Sequence, residues 1–462
     1  MTAGVRSSAG RPTGRIRALA AAIGASWQRF WFAPVQATDL GIARAVFFTV
    51  TLALYAGEDF SQWASVSNAF WMPIWIFRHL HLHVASHSTL VVLQFAWKMA
   101  LLGGALGLFT RASSVVSFLL GFYLLGLPHN FGHTYHFDAV LVFVFGILAC
   151  SRAGDAWSLD GLVWPQSAGA SERAASGEYL WPLRLAWVAT SLVFLAAGVS
   201  KLRHSGLEWV FSDTMAIFLT KAHYNFSDAN PVVNWGLAIA AHPVLARSMA
   251  ASALAVESLF PLALFSRHAR RVLVPATFAM LVSIRVLMGP TFGGFLAVFA
   301  FWAPWTAIGT LLAVRWRRGT SLVLIYDGAC GMCTRTVAVV RSLDLLERVE
   351  VRDALADWPS LLARFPFLSQ DACLDEMHVV SKRGEVFRGF RAYRALARVL
   401  PAGWLALPFA HLPGVAAAGD AVYRFVATHR SRTCALAPAA SRTSTRQGEI
   451  LGESAANTPP GS

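Results

Sequence analysis

The sequence predicts an α-helical polytopic membrane domain of about eight spans, followed by a small C-terminal α/β domain. Three observations carry this. Apolar residues make up 56% of the 462 residues and charged residues only 14%, with mean hydropathy +0.50, whereas soluble chains carry about a quarter charged residues. Long apolar runs recur as far as residue 313 and are flanked by arginines. After Arg318 the texture changes to short alternating strand-like and helix-like stretches around Cys330-Gly331-Met332-Cys333.

The N-terminal arm, 1–37, is basic through Arg6, Arg11, Arg15 and Arg17. Its apolar stretch Leu19–Ala25 is too weak for a cleaved leader and is followed by Gln28-Arg29. Trp27, Phe30, Trp31 and Phe32 suit a helix lying in the membrane interface. The membrane domain follows over 38–315. Apolar windows place spans at roughly 40–57, 88–108, 111–127, 136–150, 181–200, 243–265, 272–289 and 292–313. The mixed segment 204–242, with Trp209, Phe211, Phe218 and Trp235, reads as interfacial or re-entrant. Loops on one side hold a series of arginines from Arg6 to Arg318, whereas the other side holds Arg78, Arg203 and Lys221, with Lys201 at its edge. Positive residues face the cytoplasm, so the expected localisation is the cell membrane with both termini cytoplasmic. The net charge of +14 is thereby a topology signal. No basic and aromatic nucleic-acid module accompanies it, and the expected surroundings are a lipid bilayer without nucleic acid.

Inside the spans, Lys98 requires a partner, because intramembrane charge is costly. Glu257 is the expected one, in a structural ion pair, with Arg285 as an alternative.

Over 316–432 the strand-like runs Leu322–Ile325, Val349–Val351, Met377–Val380 and Gly384–Phe387 alternate with helical stretches in the order β-α-β-α-β-β-α. Residues 433–462 are rich in Ser, Thr, Ala and Pro and are expected to be disordered. Five cysteines, of which only Cys330 and Cys333 are close in sequence, do not make a disulfide framework. A Cys-x-x-Cys between a strand and a helix points to thiol chemistry. The first thiol sits where unpaired N–H groups and the helix dipole favour an anion. The second lies one turn later, positioned to resolve a mixed disulfide. Asp327, ahead of Gly328, reads as a turn residue or as a proton carrier beside the pair. Two other readings stay open: a structural zinc site made of Cys330, Cys333, Cys373 and His378, and an inert thiol pair.

Asp327, Cys330 and Cys333, with Met377–Val380, Gly384, Gly389, Trp404, Tyr423 and Arg430 in order, resemble the DCC family of thiol-disulfide oxidoreductase-like proteins. The resemblance covers roughly 320–430 and implies a thioredoxin-like fold, with Asp327, Cys330 and Cys333 as its site. The chain departs from thioredoxins in having no Pro before the Met377 strand.

The outer loops are rich in histidine: His79, His81, His83 and His87, then His129, His133 and His136, then His204, His223 and His242. Each reads either as a polar loop residue or as part of a proton relay. Lys201 closes an apolar run, where lost hydration makes an amine a usable base and where a lysine also snorkels to the interface. Gly107-Leu108-Phe109-Thr110-Arg111, Ser158-Leu159-Asp160, Gly198-Val199-Ser200-Lys201-Leu202, Gly206–Trp209 and Glu257 with Pro261 and Arg267 resemble the HTTM family, which includes the vitamin-K-dependent γ-carboxylases. That resemblance implies Lys201 as the base acting on a quinol, a catalytic histidine at His133 and a quinone as cofactor. The carboxylases' β-rich outer domain has no counterpart here, so carboxylation itself is not expected. Two functions follow. One is a membrane oxidoreductase, quinol-linked in its membrane domain, that acts on a protein or peptide thiol. The other is a non-catalytic maturation or export factor for a small peptide, with the dithiol domain as a docking or sensing module.

Overall fold

The computed structural model describes residues 12–132, 137–163, 175–226, 234–289, 292–316, 321–344, 346–405 and 407–435. The chain divides into two compact units, Met1–Leu311 and Leu312–Ser462.

The first unit is helical. Its principal helices are α1 (Pro12–Phe32), α2 (Ala37–Tyr55), α3 (His87–Leu106), α4 (Thr110–Gly126), α5 (Phe137–Cys150), α6 (Leu180–Ser205), α7 (Thr214–Phe226), α8 (Pro243–Leu259), α9 (Arg267–Met288), α10 (Gly293–Val298) and α11 (Trp305–Trp316). Among the described residues five helical segments are long and apolar enough to cross a membrane: Ala37–Tyr55, His87–Leu106, Thr110–Phe131, Gly177–Ser205 and Arg267–Met288. A sixth candidate is a pair bent by 74°, Gly293–Phe301 with Trp305–Leu311. Pro304 lies in the break, and the residue before a proline is disfavoured in helix. The second arm starts on a cap from another helix: Asp39 accepts from Thr306 N–H at 2.7 Å and from its hydroxyl at 2.8 Å.

Of the roughly eight spans expected from sequence, five, or six with the bent pair, have helices of spanning length among the described residues. The run at 136–150 gives a helix of 14 residues, about 21 Å long against about 30 Å of hydrocarbon. The run at 243–265 gives 17 residues in α8, then breaks at Pro261 before a short turn, Leu262–Phe265. The segment 204–242 holds α7 and two short helices, Glu208–Phe211 and Asn234–Ala240, with Phe211 and Trp235 exposed.

Aromatic rings fill the core of this unit. Phe47 meets Phe145 and Phe301 edge-on at 5.2 and 5.6 Å between centroids. Gly104 lets α3 approach α2, since a Cβ there would lie 2.6 Å from the Phe48 ring. The turn between α3 and α4 is built from two stretches distant in sequence. Gly107, at φ +68°, ends α3. Asp160 then accepts from the N–H groups of Phe109 and Thr110, both at 2.6 Å, and so caps α4. The fully buried Arg44 on α2 closes the same corner by donating to the carbonyls of Ala153 (3.4 Å) and Trp157.

Lys98 does not pair with Glu257. Its ammonium donates to the carbonyls of Ala56 (3.0 Å) and Glu58 (2.7 Å), just beyond the C-terminal end of α2, where carbonyls lack intrahelical partners. Arg285, the alternative cation for Glu257, donates instead to the Gly289 carbonyl at 2.6 Å.

The second unit carries a four-stranded mixed sheet. Its elements are β1 (Leu322–Tyr326), α12 (Gly331–Leu343), β2 (Val349–Asp353), α13 (Trp358–Arg364), α14 (Gln370–Asp375), β3 (His378–Ser381), β4 (Val386–Arg388), α15 (Gly389–Val399) and α16 (Val415–Ala435). The strand order is β2-β1-β3-β4. β1 runs parallel to β2, with Leu324 opposite Val351, and antiparallel to β3, with Leu324 opposite Val379. The β3–β4 pair is an antiparallel hairpin that turns through Gly384 at φ +81°. A parallel pair needs a crossover, and α12 supplies it. The sequence pattern anticipated one helix between β2 and β3; two are present.

Alternation along the strands separates two cores. Leu322, Leu324, Met377 and Val379 pack with Cys330 and Cys333 on one face. Val323, Ile325 and Val380 pack with Cys373 on the other.

The cap on α4 is open to test. Asp160→Ala leaves two helix N-terminal donors without their acceptor and should cost about 1–2 kcal/mol, read as a lowered unfolding temperature of the detergent-solubilised chain. Asp160→Asn, which keeps one acceptor, should cost less.

Candidate functional site

The dithiol is positioned by a strand, a tight turn and a helix. β1 ends at Tyr326, and the turn runs through Asp327-Gly328-Ala329. Asp327 stabilises the turn: its carboxylate accepts from Ala329 N–H at 2.9 Å, and its carbonyl from Cys330 N–H at 3.2 Å. This is a short-range Asx turn.

Cys330 is the N-cap of α12. Its backbone is extended (φ −88°, ψ 111°), and its sulfur accepts from the N–H of Cys333 at 3.5 Å. Ser, Thr, Asp and Asn ordinarily fill this position because a side-chain acceptor there satisfies a free helix donor. Here a sulfur takes the place of the oxygen. The helix is tied to the same residue by the Cys330 carbonyl, which accepts from both the N–H and the hydroxyl of Thr334 at 3.0 Å. The helix field and the donated N–H both favour negative charge on Sγ.

Burial opposes that charge. Cys330 is 0% exposed and Cys333 4%. Both sulfurs therefore lie beneath the surface of the domain.

Asp353, at the end of β2, is the residue that sequence reasoning missed. Its carboxylate accepts from Gly328 N–H at 3.2 Å and from Leu355 N–H at 2.9 Å. A Cβ at position 328 would lie 1.9 Å from Asp353 Oδ2, so only glycine lets the turn close on the carboxylate. The signal was present in the parallel register, which sets Tyr326 opposite Asp353, but registers are not legible before the strands are paired. Burial, and after it the nearby Asp353 carboxylate, raises the Tyr326 phenol above its usual range.

The zinc arrangement is not formed. Cys330 and Cys333 lie on one face of the sheet and Cys373 on the other. His378 alternates with Met377 and Val379 along β3, which puts it on the Cys373 side. Among the described residues no group of three or more metal-binding side chains assembles. His378 is fully buried, with Nδ1 at 2.8 Å from the Glu376 carbonyl and Nε2 without a hydrogen bond. Burial lowers its pKa and raises that of the Cys373 thiol.

In the first unit, Lys201 on α6 is ion-paired with Glu257 on α8. Its ammonium is 2.8 and 2.6 Å from the two carboxylate oxygens, with the side chains 22% and 10% exposed. It also lies 5.1 Å from the centre of the Trp209 ring. The helices meet closely at Gly198, whose Cβ would fall 2.6 Å from the Ser258 hydroxyl. His204, one turn on, is held by the Ser200 carbonyl at 2.8 Å. His133 lies outside the described residues. Its neighbour His129 is 3.8 Å from Asp138 on α5, which also takes a hydrogen bond from Tyr55.

Residues 324–435 match the family of DCC1-like thiol-disulfide oxidoreductases. The C-terminal unit thus carries a thiol-disulfide oxidoreductase-like domain, joined to a helical unit whose apolar helices are long enough to cross a membrane. No curated protein and no solved structure matches the chain.

His378 sets a pH limit on this domain. Its folded pKa lies below the unfolded value of about 6.5, so below that pH the unfolded chain takes up a proton that the folded one resists. Stability should be intact above about pH 6.5 and fall as the pH drops beneath it. Calorimetric unfolding of the whole chain should show this for the C-terminal transition, and His378→Phe should flatten it.

Proposed function

We propose that the chain is an integral membrane oxidoreductase, whose cytoplasmic, thioredoxin-like C-terminal domain performs thiol–disulfide exchange through Cys330 and Cys333. The observation that carries this reading is the Cys330 sulfur at the N-cap of α12, with the Cys333 N–H directed at it. The Cys330 thiolate attacks one sulfur of a protein or peptide disulfide. A mixed disulfide forms, and the other partner sulfur leaves as a thiolate. Cys333, deprotonated in turn, attacks Cys330 Sγ. The Cys330–Cys333 bond closes and the second partner sulfur is released. The dithiol loses two electrons and the partner disulfide gains them. Asp327 holds the turn, and Asp353 clamps it to β2. A cytoplasmic placement, supported by the asymmetry of arginines between the two sets of loops, keeps the pair reduced at rest. Both termini fall on that side when the bent helix pair counts as one of six spans.

Cys333→Ser should accumulate a mixed disulfide with the partner, visible on non-reducing gels, and Cys330→Ser should accumulate none. Alkylation against pH should show Cys330 reacting as a thiolate below the ordinary cysteine pKa of about 8.5. If both thiols titrate at the ordinary value and no adduct forms, the pair is inert and the domain serves for docking in the maturation or export of a small peptide.

A second reading concerns Lys201. A lysine paired with Glu257 beneath Trp209, at a helix end in an apolar unit, favours a polar ligand site there. The resemblance to quinol-oxidising carboxylases makes a quinone the expected ligand and Lys201 its base, with His133 near it. The amine has to release Glu257 before it takes a proton. Lys201→Arg preserves the ion pair but not the base. It should keep the unfolding temperature and abolish quinol-dependent activity, whereas Lys201→Ala should lose both. Full activity in the Arg variant removes Lys201 from the chemistry.

A further inference from the structure

We infer that the outer face of the last helices of the C-terminal unit is a docking surface for an anionic lipid bilayer. Helix α16 is fixed to the domain along one side. The Tyr423 hydroxyl accepts from Met377 N–H at 3.3 Å, the Tyr423 and Tyr393 rings lie 6.1 Å apart, and Gly419 packs against the Phe390 ring. With that side inward, Ala418, Val422 and Phe425 form a stripe at i, i+4 and i+7 on the outside. Val422 is 62% exposed and Phe425 64%. A second exposed apolar group adjoins the end of α15. Trp404 and Leu412 are 43% and 53% exposed. The Trp404 indole donates to the Arg398 carbonyl at 3.1 Å, and the Arg398 guanidinium lies 3.4 Å from His411.

The sequence of these helices is predominantly basic. Over 389–425 stand four arginines, Arg391, Arg394, Arg398 and Arg424, against one acid, Asp420. This composition selects the occupant. A second copy meeting this face about a two-fold axis sets the same patch against itself and brings arginine against arginine. An anionic headgroup layer answers the arginines, receives the aromatic and aliphatic side chains below it, and accommodates Trp404 at the interface. The chain itself keeps the two close. Helix α11 ends at Trp316 and β1 begins at Leu322, so the link between them extends at most about 20 Å. Docking then works at a high effective lipid concentration, and a weak surface suffices.

The proposal rests on the reading that the first unit spans the bilayer, and reconstitution separates the two: resistance of the full chain to alkaline carbonate extraction tests the span alone. The docking test is hydrogen exchange of the full chain in nanodiscs of phosphatidylcholine, with and without phosphatidylglycerol. Peptides over 407–426 should exchange severalfold more slowly in the anionic discs. Val422→Ser with Phe425→Ser, and separately Arg391→Glu with Arg398→Glu, should remove that difference and leave exchange in β1 and β3 unchanged. Equal exchange of 407–426 in the two discs overturns the proposal. Protection that appears in detergent and grows with protein concentration also overturns it, and assigns the face to a second copy.

Discussion

A charge among apolar helices needs a partner that is already in the structure, and the arrangement of the first unit follows from how each is met. Arg44 is held through its two terminal nitrogens by carbonyls of the loop after α5. That bond draws the loop onto the α3–α4 turn, where Asp160 finds the free N–H groups of α4. Lys98 uses carbonyls past the end of α2. Lys201 takes a carboxylate, that of Glu257, and so joins α6 to α8. Removing one partner of such a pair leaves a buried charge uncompensated.

The existence of these helices was legible from hydropathy, because apolar runs with few charges have no other stable form in lipid. Their number was not. The windows over 136–150 and 243–265 measure how apolar a stretch is, not where a helix breaks, and the broken pair 293–311 passes as one continuous run. Charge pairing was legible only as a need. Glu257 was the right acid, but pairing it with Lys98 assumed that a lysine seeks a carboxylate, whereas the carbonyls at the end of α2 were nearer and already unpartnered.

In the C-terminal unit the order of strands and helices could be read from alternation and turn residues, and the position of Cys330 from the strand-to-helix change. What could not be read was depth. A Cys-x-x-Cys after a turn suggests a surface thiol, yet Cys330 is enclosed by Leu324, Val337, Met377 and Val379. Reactivity then depends on two opposed terms: the helix end, which favours the thiolate, and the apolar enclosure, which disfavours it. Asp353 enters that balance through geometry, by holding Gly328 and hence the turn above the sulfur. No local motif marks it, since its role arises only when β2 aligns with β1.

The two-sided packing of the sheet also limits where electrons can go. Cys373 is the one other buried thiol among the described residues, and it is held beneath the opposite face. A disulfide needs its Cα atoms within about 7 Å, and helices on opposite sides of a sheet do not bring theirs that close. Among the described residues, the one thiol within reach of Cys330 is therefore Cys333. The fold thus separates the Cys373 thiol from the Cys330–Cys333 pair, and a bridge between them would require the sheet to come apart.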